Sequence, residues 1–375
     1  MELSSQESQS ISNKLEFMNI SFWTKNKDGS KKVILNNISG QVESGQLMGI
    51  LGPSGAGKTT LLNVLTLSAF GGQSEGLIQF NNQPMSPQIF KDHCYIVNQQ
   101  DFHWPFLTCR ETIEYSLELY QKTVSVEETQ HKVSQILNIL GLESCSDTLV
   151  GNEFFKGMSG GQKRRLSLAL ALIKQSHILF LDEPTSGLDA ASASKIMSEM
   201  SRLAKKLGLI IITTIHQPSS KIFSEFDHVM ILSGGHVAYS DSPQKCINYL
   251  QTVGKRILPY YNPAEFFLDL VNSDFETPKN VQYMITSWEK EQQQVSLLEG
   301  VPLENNTSIS EDIIYPDNWL LNNIKVMCRR HGYLAYRDPI LYLSRALIFL
   351  ITNSYFSLVY LHARDRHQDQ VLNRM

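Results

Sequence analysis

Residues 52–59 read Gly-Pro-Ser-Gly-Ala-Gly-Lys-Thr and fit the pattern G-x-x-x-x-G-K-[ST]. The apolar run Leu47–Leu51 leads into this pattern, and an apolar-periodic segment beginning at Thr60 follows it. Glycines let the backbone N–H groups point at phosphate oxygens, and a helix start adds a positive end. In such a loop Lys58 reaches the β- and γ-phosphates and the Thr59 hydroxyl faces Mg²⁺. The pattern predicts a site for a nucleoside triphosphate; a glycine-rich turn without a ligand is the alternative. The candidate nucleotide-binding residues here are Gly52, Pro53, Ser54, Gly55, Ala56, Gly57, Lys58, Thr59 and Thr60.

A second apolar run, Ile178–Leu181, ends in two adjacent acids, Asp182 and Glu183. Burial of a strand explains the four apolar residues, but it does not require two carboxylates at the end of that strand. A carboxylate beside bound phosphates suits a magnesium ligand, and a second one suits a general base that polarises water. The pair therefore predicts a magnesium ligand at Asp182 and a catalytic base at Glu183.

Three further motifs accompany these two, and together they resemble the ATP-binding cassette family. Residues 159–162, Ser-Gly-Gly-Gln, resemble its signature motif, and residues 186–189, Ser-Gly-Leu-Asp, resemble its D-loop. Residues 214–218, Thr-Ile-His-Gln-Pro, resemble its switch histidine motif. Each motif alone is a weak indication, whereas all of them in the family's order form one uninterrupted cassette.

The resemblance implies ATP and Mg²⁺ as ligands, and it implies a role for each motif. Gln99 resembles the glutamine that contacts Mg²⁺ and the attacking water, although its neighbours Asn98 and Gln100 leave a one-residue ambiguity. His216 would contact the γ-phosphate beside Glu183. In the family two cassettes pack head to tail, so the signature of one copy closes on the ATP of the other. The residues carried over in this way are Ser159, Gly160, Gly161, Gln162 and Asp189.

The adenine-stacking residue stays open. Phe22 and Trp23 precede the glycine-rich loop at a plausible distance, but Phe22 also continues an apolar strand pattern. Phe22 is interpreted as a core residue, and Trp23 is equally compatible with stacking and with packing.

Finer features resemble the G subfamily, the half-transporters of the white-eye-pigment type. They include the segment 151–157, Gly-Asn-Glu-Phe-Phe-Lys-Gly, and the segment 262–269, Asn-Pro-Ala-Glu-Phe-Phe-Leu-Asp. The order, with the nucleotide-binding domain before the membrane part, is that of this subfamily. Gln162 departs from it, since the G subfamily often has Glu there.

The end of the chain predicts membrane attachment. Residues 319–336 place Leu320, Ile324, Met327 and Leu334 on one helical stripe, with Lys325, Arg329 and Arg330 largely on other faces. This pattern predicts an amphipathic helix whose basic side lies at anionic membrane lipid; a helix packed on the soluble domain is the alternative. Residues 340–361 are apolar and long enough to cross a bilayer, which takes about 20 residues. The polar residues 362–375 resemble the family's loop after the first membrane helix, so we expect a truncated half-transporter.

Composition restricts the remaining classes. A formal net charge of −4 gives no general attraction to nucleic acid, so no nucleic-acid partner is expected. The 5 cysteines are scattered and match neither a disulfide framework nor a metal pattern, which favours a reducing cytosol.

The predicted fold class is α/β: a P-loop cassette with a parallel-sheet core, an antiparallel β subdomain and a helical subdomain that carries the signature. The expected order is a disordered tail (1–14), the nucleotide-binding domain (15–271, its helical part about 108–172), a linker (272–315), an amphipathic helix (316–338), a membrane helix (339–361) and the truncated loop (362–375).

The resemblance implies a membrane protein with its nucleotide-binding domain in the cytosol. It would hydrolyse ATP as a homodimer, or as a heterodimer with another half-transporter, and power export of a lipid-like or other small hydrophobic substrate. Two alternatives are a non-transporting isoform that regulates a full-length partner and a soluble regulatory ATPase.

Overall fold

The computed structural model describes residues 12–25, 29–120, 125–257, 261–272, 276–298 and 319–360. The predicted tail over 1–14 lies mostly outside these residues. So do the later part of the predicted linker and the predicted loop over 362–375.

The core is a six-stranded sheet that places the ends of several strands side by side. Its strand order is β10-β9-β3-β8-β7-β6. Five strands run parallel, and β10 is antiparallel to β9. All residues of β3, β7 and β8 are buried, which explains the unbroken apolar sequences of β3 and β7 and the apolar start of β8. The strands are β3 (Leu47–Leu51), β6 (Cys94–Val97), β7 (Ile178–Leu181), β8 (Ile210–Thr214), β9 (His228–Ser233) and β10 (His236–Asp241).

A second, antiparallel sheet covers one face of this core. Its order is β2-β1-β4-β5, formed by β1 (Lys14–Lys25), β2 (Lys31–Glu43), β4 (Gln73–Phe80) and β5 (Gln83–Pro84). Inward residues of β1, among them Leu15 and Phe17, share one buried cluster with Met48 and Ile50 of β3. The antiparallel β subdomain predicted from the sequence is therefore confirmed.

Helices connect the parallel strands and pack on both faces of the sheet. The glycine-rich loop leads into α1 (Lys58–Leu65), and α6 (Ala190–Leu207) is the crossover between β7 and β8. Asp189 caps the start of α6, and Gly208 ends it in the left-handed conformation with φ 65°. The shorter helices are α2 (Pro87–His93), α7 (Ser220–Glu225), α8 (Pro243–Thr252) and α9 (Pro263–Leu270).

The predicted helical subdomain comprises α3 (Cys109–Tyr120), α4 (Val126–Ile139) and α5 (Gly160–Ile173). Two of these helices begin with a capping box. In this motif the serine hydroxyl accepts the backbone N–H of the residue three positions later, and the side chain of that later residue accepts the backbone N–H of the serine. Ser125 pairs with Glu128 in α4, and Ser159 pairs with Gln162 in α5. The signature motif therefore forms the start of a well-defined helix.

The structure differs from the sequence prediction over residues 272–315, where a linker with patchy helix signals was expected. Residues 278–298 form the helix α10 (Pro278–Leu298), which packs against β10. Met284, Ile285 and Trp288 are buried, and the Trp288 ring lies 5.0 Å from that of Tyr239. Three apolar residues on one helical face are enough to hold an otherwise polar helix on the cassette.

Two helices follow, α11 (Trp319–Arg337) and α12 (Pro339–Tyr360), separated by Asp338. Tyr342–Tyr360 is the one segment of the described chain long and apolar enough to cross a membrane. Its mean hydropathy is 1.2 over 19 residues, and none of it is buried.

Candidate functional site

The loop between β3 and α1 is built from glycines that other residues could not replace. Gly52 and Gly57 have φ of 153° and 103°. A Cβ on Gly52 would lie 2.5 Å from the Leu232 carbonyl oxygen, and one on Gly57 would lie 2.7 Å from Leu35 Cδ2. The loop therefore keeps its N–H groups at the end of β3 only with these glycines, as the sequence pattern predicts.

Lys58 is held within this loop. Its Nζ donates to the carbonyl oxygens of Gly52 at 2.7 Å and Pro53 at 2.9 Å. Burial lowers the pKa of Lys58, while the carboxylates of Glu183 and Asp182 act in the opposite direction. The charges nearest to the ammonium group are thus negative. When a nucleotide binds, the ammonium group can replace its hydrogen bonds to the loop carbonyls with hydrogen bonds to phosphate oxygens.

The two acids at the end of β7 are fixed by the neighbouring strand. Thr214, at the end of β8, donates its hydroxyl to Asp182 Oδ1 at 2.6 Å and accepts the Glu183 N–H at 2.9 Å. Glu183 has φ 42°, a left-handed conformation that is uncommon for this residue type and found mainly at functional sites. Thr214 therefore holds both the Asp182 carboxylate and the strained backbone of Glu183.

Gln99 contacts the predicted base. Its Nε2 donates to Glu183 Oε2 at 2.8 Å, whereas Asn98 contributes its backbone carbonyl to an arginine contact described below. The geometry thus favours Gln99 within the ambiguous run 98–100. Its catalytic role stays a prediction.

A cavity of about 460 Å³ brings eight of the predicted residues together. The predicted residues that line it are Ser54, Gly55, Gly57, Lys58, Thr59, Thr60, Glu183 and His216. His216 is exposed and follows directly after buried Ile215. Its loop is held from α9, since Asn262 Nδ2 donates to the Pro218 carbonyl at 2.9 Å. The remaining loop residues Gly52, Pro53 and Ala56 lie behind this lining.

The signature motif does not line this cavity. Ser159 and Gly160 are exposed at the start of α5, and a Cβ on Gly160 would approach Leu188 of the D-loop at 3.6 Å. Asp189 accepts from Ser192 N at 3.0 Å, and hydrogen bonds from the Ser192 side chain and backbone lower the pKa of Asp189. The Gln162 side chain accepts the Ser159 N–H at 2.8 Å, so in this chain it caps its own helix.

One functional residue that the sequence analysis did not single out is Arg164. Its side chain is buried between α5, Asn98 and Asp182. The signal available in the sequence was its spacing of three from Ser167 on the signature helix, which places both on one helical face.

The two aromatic candidates for adenine stacking, Phe22 and Trp23, differ in their surroundings. Phe22 is a core residue, 4% exposed, as interpreted from the sequence. Trp23 is half-buried, and the Lys31 Nζ lies 3.4 Å above the centre of its ring. Val33 and Ile34, rather than Trp23, line the cavity.

Two of the three basic residues predicted to lie at lipid, Arg329 and Arg330, contact the cassette, which favours the alternative of a helix packed on the soluble domain, whereas Lys325 is exposed. Arg337 makes two bonds to the Glu111 carboxylate, at 2.7 and 3.0 Å, and Arg329 pairs with Glu118. Arg330 lies 5.4 Å from the centre of the Trp104 ring. The residues of the predicted apolar stripe also differ in burial. Leu334 is buried against the cassette, whereas Ile324 and Met327 are exposed. The helical period identifies the faces of a helix but not their partners, and here acidic residues on α3 pair with Arg329 and Arg337.

The fold and the site define a P-loop nucleoside triphosphatase of the cassette type. The family model described as ABC transporter matches residues 35–186, and the model described as ABC-2 type transporter matches residues 216–321. The chain belongs to the ATP-binding cassette transporter family, with G-family proteins among its relatives, and its nucleotide-binding domain is an ATPase of that family.

The relatives share the cassette and extend well beyond this chain. ABC transporter G family member 1 of Dictyostelium discoideum is 40% identical over 65% of this chain and 31% of its own length. ABC transporter G family member 22 of Arabidopsis thaliana is 32% identical over 85% of this chain and 47% of its own length. The chain thus spans less than half of either relative.

A solved structure confirms the cassette fold. The cbiO1 protein of Clostridium perfringens, described as part of an ABC transporter complex, matches with a TM-score of 0.52 and 25% identity. The match covers 64% of this chain and 92% of that protein.

Proposed function

We propose that this chain is the ATP-hydrolysing module of a G-family half-transporter that exports a lipid-like or other small hydrophobic substrate. The observation that carries the proposal is the single cavity in which Lys58, Glu183 and His216 meet at the carboxyl ends of three parallel strands. Ligands of open α/β sheets bind at this edge, where loop N–H groups and strand-end side chains converge.

In the proposed mechanism Lys58 and the loop N–H groups hold the β- and γ-phosphates. Glu183 accepts a proton from the attacking water, and His216, which lines the same cavity, contacts the γ-phosphate. Gln99 donates to Glu183 Oε2, which orients that carboxylate and leaves its other oxygen to face water. The left-handed backbone of Glu183 would keep the side chain at the mouth of the cavity.

The donors at this site fit Mg²⁺ bound together with ATP. The Thr59 hydroxyl and the Asp182 carboxylate offer oxygen atoms, which magnesium prefers. Across the described residues there is no group of three or more His, Cys, Asp or Glu side chains that could hold a metal by itself. Phosphate oxygens and water would complete the shell, and the ion would supply charge neutralisation at the transferred phosphate.

The second half of each active site is proposed to come from another copy or from a related half-transporter. Ser159 and Gly160 are exposed at the N-terminus of α5, a helix of 14 residues, and lie outside the cavity of their own chain. Such a helix start stabilises an anion presented from outside. A head-to-tail dimer would therefore place Ser159 against the γ-phosphate held by Lys58 of the partner.

Coupling to the membrane is proposed to run through α11. The Arg337 and Arg329 contacts fix α11 on α3, a helix that begins ten residues after Gln99. Asp338 alone separates α11 from α12, whose side chains are exposed over Tyr342–Tyr360. An exposed apolar helix needs lipid or other apolar helices around it, which favours membrane insertion over a soluble regulatory ATPase. The cassette would then lie on the cytosolic side, where ATP is available.

The test is complementation between two inactive variants of the full chain in detergent. Lys58→Ala abolishes the phosphate site and Ser159→Arg blocks the signature face, so each variant alone should be inactive. Mixed heterodimers carry one intact interface, and we expect them to recover part of the parent turnover. Heterodimers that form but stay inactive would remove the head-to-tail arrangement. Export by the chain with a full-length partner would separate a transporter from a regulator.

A further inference from the structure

Arg164 is a buried arginine whose guanidinium joins two segments of the active site. The residue is 3% exposed and lies on α5, two residues after Gln162. Its Nη1 donates to the Asn98 carbonyl at 2.5 Å, and its Nη2 donates to the Asp182 carbonyl at 2.8 Å. Its Nε donates to the Pro184 carbonyl at 3.2 Å. The planar fork of arginine suits this task, because its donors point in fixed directions.

The two carbonyl oxygens that accept from the Nη atoms of Arg164 belong to residues directly before the two catalytic side chains. Asn98 immediately precedes Gln99, and Asp182 immediately precedes Glu183. Each carbonyl belongs to the peptide unit that leads into one of these side chains. The orientation of both peptide units, and with it the 2.8 Å contact between Gln99 Nε2 and Glu183 Oε2, is therefore fixed from one guanidinium.

We propose that Arg164 is a positioning residue that sets the distance between Gln99 and Glu183. It acts through the backbone and lies outside the lining of the nucleotide cavity. This inference rests on the proposed roles of Gln99 and Glu183 in hydrolysis.

A second set of contacts keeps the fork in place. Asp101 Oδ1 accepts from Arg164 Nη1 at 3.1 Å and from the Ser167 hydroxyl at 2.5 Å. His103 Nε2 lies 2.9 Å from Ser167 Oγ and 3.3 Å from the Lys163 carbonyl. The side chains of Arg164 and Ser167 and the backbone carbonyl of Lys163 thus hold the segment 98–103 from α5. The segment cannot move relative to α5 without breaking buried, partly charged hydrogen bonds.

The position of Arg164 links the signature to the catalytic pair. Ser159 caps the same helix five residues earlier, which is about 7.5 Å along a helix axis. A helix of this length moves as a rigid rod. When a partner's ATP engages Ser159 and displaces α5, the guanidinium carries that displacement to the Asn98 and Asp182 carbonyls together. Gln99 and Glu183 then keep their 2.8 Å contact when the dimer closes, because both segments move with the same helix.

Arg164→Gln tests the assignment, with Arg202→Gln as the control because Arg202 is an exposed arginine on α6. We expect Arg164→Gln to lose about 10²-fold in kcat, the cost of a misplacement of about 1 Å. Binding of MgATP, followed with a fluorescent ATP analogue, should be unchanged because Lys58 and its loop are untouched. Arg164→Lys keeps the charge but not the fork, and it should recover only part of the rate. Arg202→Gln should resemble the parent.

A double variant separates positioning from a general structural role. If Arg164 acts by placing Gln99, then combining Arg164→Gln with Gln99→Ala should cost less than the product of the two single losses. Losses that multiply fully would overturn the proposal, and so would a kcat for Arg164→Gln within twofold of the parent. Parallel loss of ATP affinity would also overturn it. If the proposed function is wrong and Glu183 is not the catalytic base, turnover in Glu183→Gln should equal that of the parent, a result distinct from those above.

Hydrogen exchange provides a readout that does not depend on turnover. Arg164→Gln, or Arg164→Lys if the glutamine variant does not fold, should raise exchange in peptides over residues 94–107 and 178–189 together. Peptides over residues 47–65 should stay unchanged. Increased exchange in only one of the two catalytic segments, or equally across the whole domain, would refute the proposal that the Arg164 guanidinium holds both segments.

Discussion

The contact between Arg337 and Glu111 gives a prediction whose size follows from the structure. The two bonds measure 2.7 and 3.0 Å, and Arg337 also donates to the Phe106 carbonyl at 3.3 Å. A charged hydrogen bond contributes about 1.5–3 kcal/mol net, whereas an exposed ion pair contributes about 0.2–1 kcal/mol. The two side chains are 33% and 28% exposed, so solvent screening reduces the larger figure. We therefore expect a coupling of about 1 kcal/mol, or about fivefold in the docking equilibrium of α11.

The assay is hydrogen exchange of α11 in a double-mutant cycle. Arg337→Gln and Glu111→Gln should each lower the protection of α11 amides about fivefold, and the double variant should lose little more. The charge-swapped pair, Glu111→Arg with Arg337→Glu, should recover part of the protection. The Arg329–Glu118 pair is the internal comparison, because Arg329 is 51% exposed and its pair should contribute less. Protection unchanged in both single variants, or fully additive losses, would refute the docking argument.

Three other perturbations test separate parts of the account. Lys58→Ala should weaken MgATP binding in a calorimetric titration while the exposed-lysine control Lys221→Ala does not; equal affinity would place Lys58 outside the site. Deleting residues 339–375 should move the protein from the membrane fraction to the soluble fraction with ATP binding intact, and a fully soluble parent would contradict a membrane role for α12. Burial lowers the pKa of His103 and His228, so below about pH 6.5 the unfolded chain binds more protons than the folded one. The denaturant midpoint should therefore fall between pH 7.5 and 5.5, and His228→Gln should reduce that fall; an unchanged pH dependence of the midpoint in the variant would exclude His228 as a contributor.

The catalytic edge could be predicted because its residues are local to strand ends. Leu47–Leu51 and Ile178–Leu181 identify themselves by unbroken apolar sequence, and the polar residues that follow must meet where parallel strands end. The loop glycines are also readable from the sequence, because Gly52 and Gly57 adopt positive φ angles that favour glycine. The positions of Lys58 and Glu183 in one cavity follow from these facts.

Arg164 and the orientation of α11 depend instead on tertiary contacts. The run Lys163-Arg164-Arg165 offers three basic side chains, and the sequence does not state that the middle one faces the Asp182 carbonyl. Likewise Val326, buried on α11 at 6% exposure, is no more apolar than the exposed Ile324. The acidic residues Glu111 and Glu118 on α3 decide which face is covered, and they lie over 200 positions away.

The central claim is that Glu183 is the base for ATP hydrolysis in a closed dimer. Glu183→Gln keeps the shape of the side chain and its contact with Gln99, but it cannot accept a proton. We expect the variant to bind MgATP with the parent's affinity, to lose about 10²–10⁴-fold in turnover, and to accumulate as an ATP-bound dimer on size-exclusion chromatography. A variant that hydrolyses ATP at the parent rate would contradict the assignment of Glu183, and an ATP-bound monomer would contradict the shared site.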